Sequence, residues 1–138
     1  MVSEETTERP GDPAWLLSGL VQRVPHATGA LLLSADGLVR AADGLEPDAA
    51  DHLAALAGGL HSLARSAGAR FGDGGEVRQV LVELDTTLLC VCAAGEGACL
   101  AVLAGRDADA AVLGYEMAML VKSVRPTLTV PARQPAGG

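Results

Sequence analysis

Residues 77–104 read "VRQVLVELDTTLLCVCAAGEGACLAVLA" and contain three apolar runs, at 77–84, 87–93 and 98–104. Each run has the length of a β-strand and is too short for a typical helix. Because the segments between the runs are short, neighbouring strands are expected to pair antiparallel. Apolar residues occupy both faces of the runs, so we expect helices to cover both sides of the sheet.

A second group of strands is predicted in the segment 29–42, "GALLLSADGLVRAA", where two short apolar runs surround Asp36 and Gly37. This pair suits a tight hairpin turn, whose central residues need positive φ angles. We therefore predict strands near 29–34 and 38–42. Together with the three runs above, they make a five-stranded antiparallel sheet.

A helix is predicted between the two groups of strands, around the stretch "LAALAGGLHSLA" at 53–64. Its apolar residues recur at the spacing i, i+3, i+4, i+7, which is typical of an amphipathic helix. Pro47 fits the first helical turn, and Gly68 can end the helix. The predicted buried face consists of Leu53, Leu56, Ala57, Leu60, Leu63, Ala64 and Ala67.

Gly58 lies in the middle of this helix, although a glycine in a helix interior costs about 1 kcal/mol relative to alanine. Helical geometry places it opposite the predicted buried face, beside Ala54, Ala55 and Ser62. A solvated helix face normally carries long charged side chains. This smooth face therefore predicts the close approach of another helix or another chain.

Two further helices are predicted near the ends of the chain. The first begins at Asp12, an N-cap carboxylate that precedes Pro13, and ends at Pro25. The last begins near Asp107 and ends at Pro126. The predicted order of elements is αββαβββα, an α+β fold with helices on both faces of the sheet.

Length and composition indicate one domain at 12–126, because the chain has 138 residues, of which 49% are hydrophobic. The segments 1–11 and 127–138 are rich in charge, proline or glycine and are predicted to be flexible tails. A net charge of -7 argues against nucleic acid and anionic lipid as partners. A polar N-terminus and the lack of a long apolar run predict a cytoplasmic protein without membrane insertion.

Motifs for catalysis, metal binding or cofactor binding are not recognisable. Cys90, Cys92 and Cys99 lie in apolar sequence and are predicted to be buried, reduced thiols. The C-x-C pair lacks the additional ligands that zinc needs, and "GDGGE" at 72–76 matches no phosphate-binding loop. We therefore expect no metal, no cofactor and no catalytic residue, against the alternative of an enzyme that uses the cysteines.

Arg65 and Arg70 are the two cations at the end of the central helix in an otherwise acidic chain. One interpretation is that they complement the dipole at the C-terminus of that helix. The other is that they contact a partner protein.

Three segments carry a family resemblance: "WLLSGLVQRVPHATGALLLSADGLVRAA" at 15–42, "LAALAGGLHSLARSAG" at 53–68, and "VRQVLVELDTTLLCVCAAGEGACLAVLAG" at 77–105. In the predicted order of elements, they resemble the roadblock family of the dynein light chain type, in its bacterial, actinobacterial branch. The resemblance implies a homodimer in which the strands at 77–84 of two copies pair antiparallel and the helices at 48–67 pack side by side. The interface residues it implies are Ala54, Ala55, Gly58, Ser62, Val77, Gln79, Leu81 and Glu83.

The function that the resemblance implies is that of a non-enzymatic adaptor that binds and regulates a small Ras-like GTPase in a signalling complex. Similar actinobacterial chains are commonly encoded beside such a GTPase and a sensor-kinase-like protein, which is a further expected partner. The candidate partner-binding residues are His61, Arg65 and Arg70. The alternative is a sensory module of related α/β architecture that binds a small molecule.

Overall fold

The computed structural model describes the backbone of residues 12–95 and 97–133, and the side chains in these ranges as far as Val124. The predicted tail at 1–11 and the last five residues of the predicted tail at 127–138 lie outside the described residues. The helices are α1 (Pro13–Arg23), α2 (Pro47–Phe71) and α3 (Ala110–Arg133). The strands are β1 (Ala27–Ser34), β2 (Val39–Asp43), β3 (Val80–Glu83), β4 (Thr87–Ala93) and β5 (Ala98–Gly105). The predicted order αββαβββα is confirmed.

All five described strands pair antiparallel in one sheet with the order β2-β1-β5-β4-β3. The long strands β1 and β5 occupy the centre, and the chain crosses from β2 to the far edge through α2. As a result, the short strand β3 forms one edge and pairs only with β4 among the described strands. The predicted α+β fold with a five-stranded antiparallel sheet is confirmed.

Helices cover both faces of the sheet, as predicted. On one face, α1 and α3 enclose a core that includes Leu17, Leu20, Leu32, Leu100, Leu113 and Met117. On the other face, α2 packs over a core that includes Leu31, Leu33, Leu53, Ala57 and Val91.

The helix ends agree with the prediction for α1 and differ for α3. The Asp12 carboxylate accepts a hydrogen bond from the Ala14 backbone N–H at 2.9 Å and caps α1. The cap of α3 is Asp109, two residues after the predicted start, because its carboxylate accepts from the Ala111 N–H at 2.9 Å. The predicted end at Pro126 is wrong, since α3 continues to Arg133. A proline removes one hydrogen bond from a helix, and it can bend the helix without ending it.

Two boundaries around the glycine-rich loop also differ from the prediction. Helix α2 continues three residues beyond the predicted end at Gly68, and Gly72 caps it by donating to the Gly68 carbonyl at 2.9 Å. Strand β3 begins at Val80, three residues later than predicted, because 77–79 do not join the ladder with β4.

The rotation of α2 about its axis corrects the predicted buried face. Ala54 is fully buried within the chain, whereas Leu56 is 55% and Leu63 is 71% exposed. The helix approaches the β1–β2 turn through its small residues. A Cβ atom added to Gly58 would lie 3.4 Å from the Gly37 Cα atom. The prediction that Ala54 and Gly58 lie on an outer face is therefore wrong, because they permit close contact inside the chain.

Candidate protein-interaction surface

An apolar stripe runs along the outer side of α2. Its members recur at helical spacing on one side of the helix, and they extend from the middle of α2 to its last residue. Phe71 is 82% exposed, and Leu60 is half-buried between the two exposed leucines. We call the set the α2 stripe: Leu56, Leu60, Leu63, Ala67 and Phe71.

The open edge of β3 borders this stripe. Leu60, Val80 and Val82 pack partly against the same core cluster, so the α2 stripe and β3 belong to one side of the molecule. Leu81 and Leu84 are 39% and 59% exposed. An edge strand also presents unpaired backbone N–H and C=O groups, which favours pairing with another strand.

The structure divides the predicted interface residues into three sets. Ala54 and Gly58 face the interior of the chain, as described above. Ala55 and Ser62 are exposed on the flank of α2 opposite the α2 stripe. The residues at or near the β3 edge are accessible: Val77 is half-buried, and Gln79, Leu81 and Glu83 are exposed.

Two of the three predicted partner-binding residues share a cleft. His61 and Arg65 line a cleft of about 570 Å³ under the C-terminal half of α2, together with Ser62, part of the loop at 74–77, Gly95 and Gly97. Arg70 is exposed at the end of α2 and does not line this cleft. The structure therefore brings His61 and Arg65 together and leaves Arg70 apart.

His61 is an electrostatically unusual member of the cleft. Burial lowers the pKa of its imidazole, and the nearby Arg65 guanidinium lowers the pKa further. The Nε2 atom of His61 is buried and has no hydrogen-bond partner among the described residues. The ring is therefore neutral at pH 7, and Arg65 supplies the positive charge on this flank of the helix.

The three cysteines lie where thiols are unreactive. Cys90 and Cys99 are buried in the cores on opposite faces of the sheet, and Cys92 is half-buried. Burial raises the pKa of all three thiols, and for Cys92 it reaches about 12, with smaller contributions from Cys90 and Cys99. Protonated thiols are poor nucleophiles and poor metal ligands.

Within residues 12–95 and 97–133, no three His, Cys, Asp or Glu side chains lie close enough together to hold a metal ion. Over the same part of the chain, none of the helices combines the length and the apolar character that a membrane span requires.

Sequence reasoning missed the α2 stripe as a surface because it assigned the leucines of α2 to the interior. One signal was present in the sequence, since Phe71 continues the apolar band four residues after Ala67 and carries it past the predicted helix end at Gly68. The cleft could not be found from the sequence, because loops distant along the chain form its walls.

The fold and its exposed surfaces define a small α+β domain with an open sheet edge beside an apolar helix face. The chain belongs to the Roadblock/LC7 domain family, whose sequence pattern matches residues 13–104. It is similar to a crystal structure of a Roadblock/LC7 domain from Streptomyces avermitilis, with 76% identity and a TM-score of 0.82 over 83% of this chain and 96% of that chain. A second such domain from the same organism is 42% identical, with a TM-score of 0.63 over 78% of this chain and 92% of that chain.

More distant structures share the fold alone. Myxococcus xanthus MglB is 13% identical, with a TM-score of 0.76 over 86% of this chain and 95% of that chain. No curated protein sequence matches this chain at a significant level.

Proposed function

We propose that this chain is a non-enzymatic adaptor that forms a homodimer and binds a small Ras-like GTPase in a cytoplasmic bacterial signalling complex. The observation that carries the proposal is the α2 stripe beside the open β3 edge. The two features together present apolar side chains and unpaired backbone groups on one side of the molecule. A second copy supplies both kinds of group at once, because a two-fold axis brings the same surface of each copy together.

The apolar part of this surface favours association. Full burial of a leucine or phenylalanine side chain contributes about 1.5–3 kcal/mol. Leu56, Leu63 and Phe71 are each more than half exposed in the single chain. Their burial against a second α2 would therefore supply several kcal/mol toward the cost of association.

Binding of a GTPase is supported by the family and by the charge on α2. The chain belongs to the Roadblock/LC7 domain family, and the resemblance to that family implies a small GTPase as the partner. Arg65 and Arg70 are exposed on the second half of α2, where they can contact an acidic patch on a partner. A sensor-kinase-like protein remains a further proposed partner.

Capture of the GTPase encoded beside this chain tests the proposal. The purified GTPase is loaded with GDP or with a GTP analogue, and its affinity for the chain is measured by biolayer interferometry. We expect binding that weakens in the Arg65→Ala and Arg70→Ala variants. Arg40→Ala, at an exposed position on the opposite edge of the sheet, is the matched control and should bind normally. Absence of binding in both nucleotide states would contradict the adaptor function.

A small-molecule sensory module is a second candidate, and the cleft at His61 is the observation that favours it. Its described lining consists mainly of glycine and alanine and includes no Phe, Tyr or Trp side chain. A thermal-shift screen of metabolites tests this candidate. A ligand at 100 times its dissociation constant should raise stability by about 2.7 kcal/mol, and the shift should disappear in Arg65→Ala.

A further inference from the structure

The hydrogen-bonding pattern of β3 shows which backbone groups face its open edge. The Leu84 N–H donates to the Thr87 carbonyl at 2.8 Å, so residue 84 faces β4. In an antiparallel ladder, alternate residues of a strand face the same neighbour. The backbone N–H and C=O groups of Val82 and Val80 therefore also point to β4. The N–H and C=O groups of Leu81 and Glu83 therefore point to the open edge. The same alternation, extended to Gln79 just before the strand, places its groups at that edge as well.

The side chains of β3 alternate between the two faces of the sheet. Val80 and Val82 pack on the face that α2 covers. Gln79 lies toward the opposite face, because its Oε1 atom accepts a hydrogen bond from the Cys90 Sγ atom at 3.7 Å. Leu81 and Glu83 follow Gln79 at intervals of two residues and therefore share its face.

These two patterns restrict how β3 can pair with a second copy of itself. Residues directly opposite each other in an antiparallel pair must share a face of the sheet. The two-fold axis therefore lies between the two copies of one residue, and this residue lies opposite itself. Three registers pair at least three residues of the segment 79–83 with the same segment of the second copy. They place the axis at Val80, Leu81 or Val82.

The charge and polarity of the side chains distinguish the three registers. With the axis at Val82, each Glu83 lies opposite Leu81, and the two Glu83 carboxylates become diagonal neighbours on one face, which is unfavourable for like charges. With the axis at Val80, Gln79 lies opposite Leu81, a polar side chain against an apolar one. With the axis at Leu81, the two leucines meet each other and each Glu83 lies opposite Gln79, whose amide can donate to the carboxylate.

We propose that two copies of this chain pair through β3 with Leu81 on the two-fold axis and with Gln79 of each copy opposite Glu83 of the other. The inference rests on the self-association proposed above, and it adds the register and the polar pair that fixes it. In this register, the outward N–H and C=O groups of Leu81, Gln79 and Glu83 all find partners. The exposed Leu81 side chain is also covered by its own copy.

Disulfide cross-linking tests the register. Leu81→Cys, Val80→Cys and Val82→Cys are each made in a Cys90→Ala background, because Cys90 lies opposite Leu81 on β4 and could capture the new thiol within one chain. Under mild oxidation, we expect the Leu81→Cys chain to form the covalent dimer many times faster than the other two. The Cys90→Ala chain alone is the control and should form none.

The outcomes separate the register from the dimer itself. If Val80→Cys or Val82→Cys cross-links fastest while light scattering shows a dimer, the register is wrong and the homodimer stands. If the parent chain is monomeric, both proposals fail.

Exchange of the two polar residues gives an independent readout. Gln79→Glu places two carboxylates opposite each other and should raise the dimer dissociation constant several-fold. The double variant Gln79→Glu with Glu83→Gln restores one amide and one carboxylate in each pair, so its dissociation constant should return to near that of the parent. If the double variant shows no recovery, Gln79 and Glu83 are not paired.

Discussion

At the scale of single residues, two adjacent glycines of α2 have different roles. Gly58 lies against the β1–β2 turn, where an added Cβ atom would be 3.4 Å from the Gly37 Cα atom and 3.6 Å from the Leu33 Cδ1 atom. Gly59 faces outward, and an added Cβ atom would meet nothing within 4 Å. Only Gly58 is therefore required for packing within the chain.

Substitutions at the two glycines should have opposite effects on stability. Gly58→Leu places a side chain against the backbone of the turn and should destabilise the fold by about 1–3 kcal/mol, as overpacking typically does. Gly59→Ala should stabilise it by up to about 1 kcal/mol, because alanine is the better helix former. Urea denaturation of both variants measures these changes. Equal effects at the two positions would contradict the assigned orientation of α2.

His61 makes the stability of the fold sensitive to pH. Its pKa is lowered from 6.5 first by burial and then by Arg65, so the folded chain binds a proton less readily than the unfolded chain. The contribution of neutral His61 to the free energy of unfolding is therefore complete above about pH 6.5. It is lost as the pH falls through the lower pKa of the folded state. Arg65, Glu76 and Cys99 also line the cleft.

Denaturation curves from pH 8 to pH 5 check the role of His61. The wild-type chain should lose stability below about pH 6.5 relative to His61→Gln, whose side chain does not titrate. Parallel pH profiles for the two chains would show that the protonation of His61 does not act on folding.

At the scale of elements, α2 is an amphipathic helix with more apolar surface than the sheet below it can cover. Leu53 and Ala57 pack inward, and the leucines at 56 and 63 lie on the outer side. This division explains why the apolar face of α2, which the sequence analysis predicts to be buried, is half exposed. The remaining surface requires another element, which we propose to be α2 of the second copy.

A charge introduced into the α2 stripe tests its role in self-association. Leu63→Glu should raise the dimer dissociation constant at least about tenfold, since it removes an apolar contact worth more than about 1.4 kcal/mol. Ala55→Glu is the matched control, because Ala55 is exposed on the opposite flank of the same helix. Sedimentation equilibrium measures both constants. If Ala55→Glu weakens the dimer and Leu63→Glu does not, the interface is on the other flank.

The strands and their order were predictable from the sequence because local patterns determine them. Asp36 and Gly37 mark the first hairpin, and the apolar runs at 87–93 and 98–104 coincide closely with β4 and β5. The rotation of α2 was not predictable in the same way. It depends on the close approach of Gly58 to Gly37. These two residues are distant in sequence, and local helix and strand propensities do not predict a contact between them. The side chains of the cleft depend on similarly distant contacts.

At the scale of the whole molecule, the position of β3 follows from the chain path. The crossover through α2 carries the chain from β2 at one edge of the sheet to β3 at the other. The chain then returns through β4 to β5 at the centre, which leaves β3 without a second neighbour among the described strands. The α2 stripe lies on the same side, and we propose that one second copy covers both features.

Hydrogen exchange at β3 tests this account most directly, because the two kinds of amide in the strand report on different neighbours. The Val82 N–H faces β4 and is protected in a single chain, whereas the Leu81 N–H faces the open edge. In solution conditions that populate the dimer, we predict that NMR will show the Leu81 amide exchanging about as slowly as that of Val82. Rapid exchange at Leu81 beside slow exchange at Val82, at every protein concentration, would contradict the pairing of β3 with a second copy.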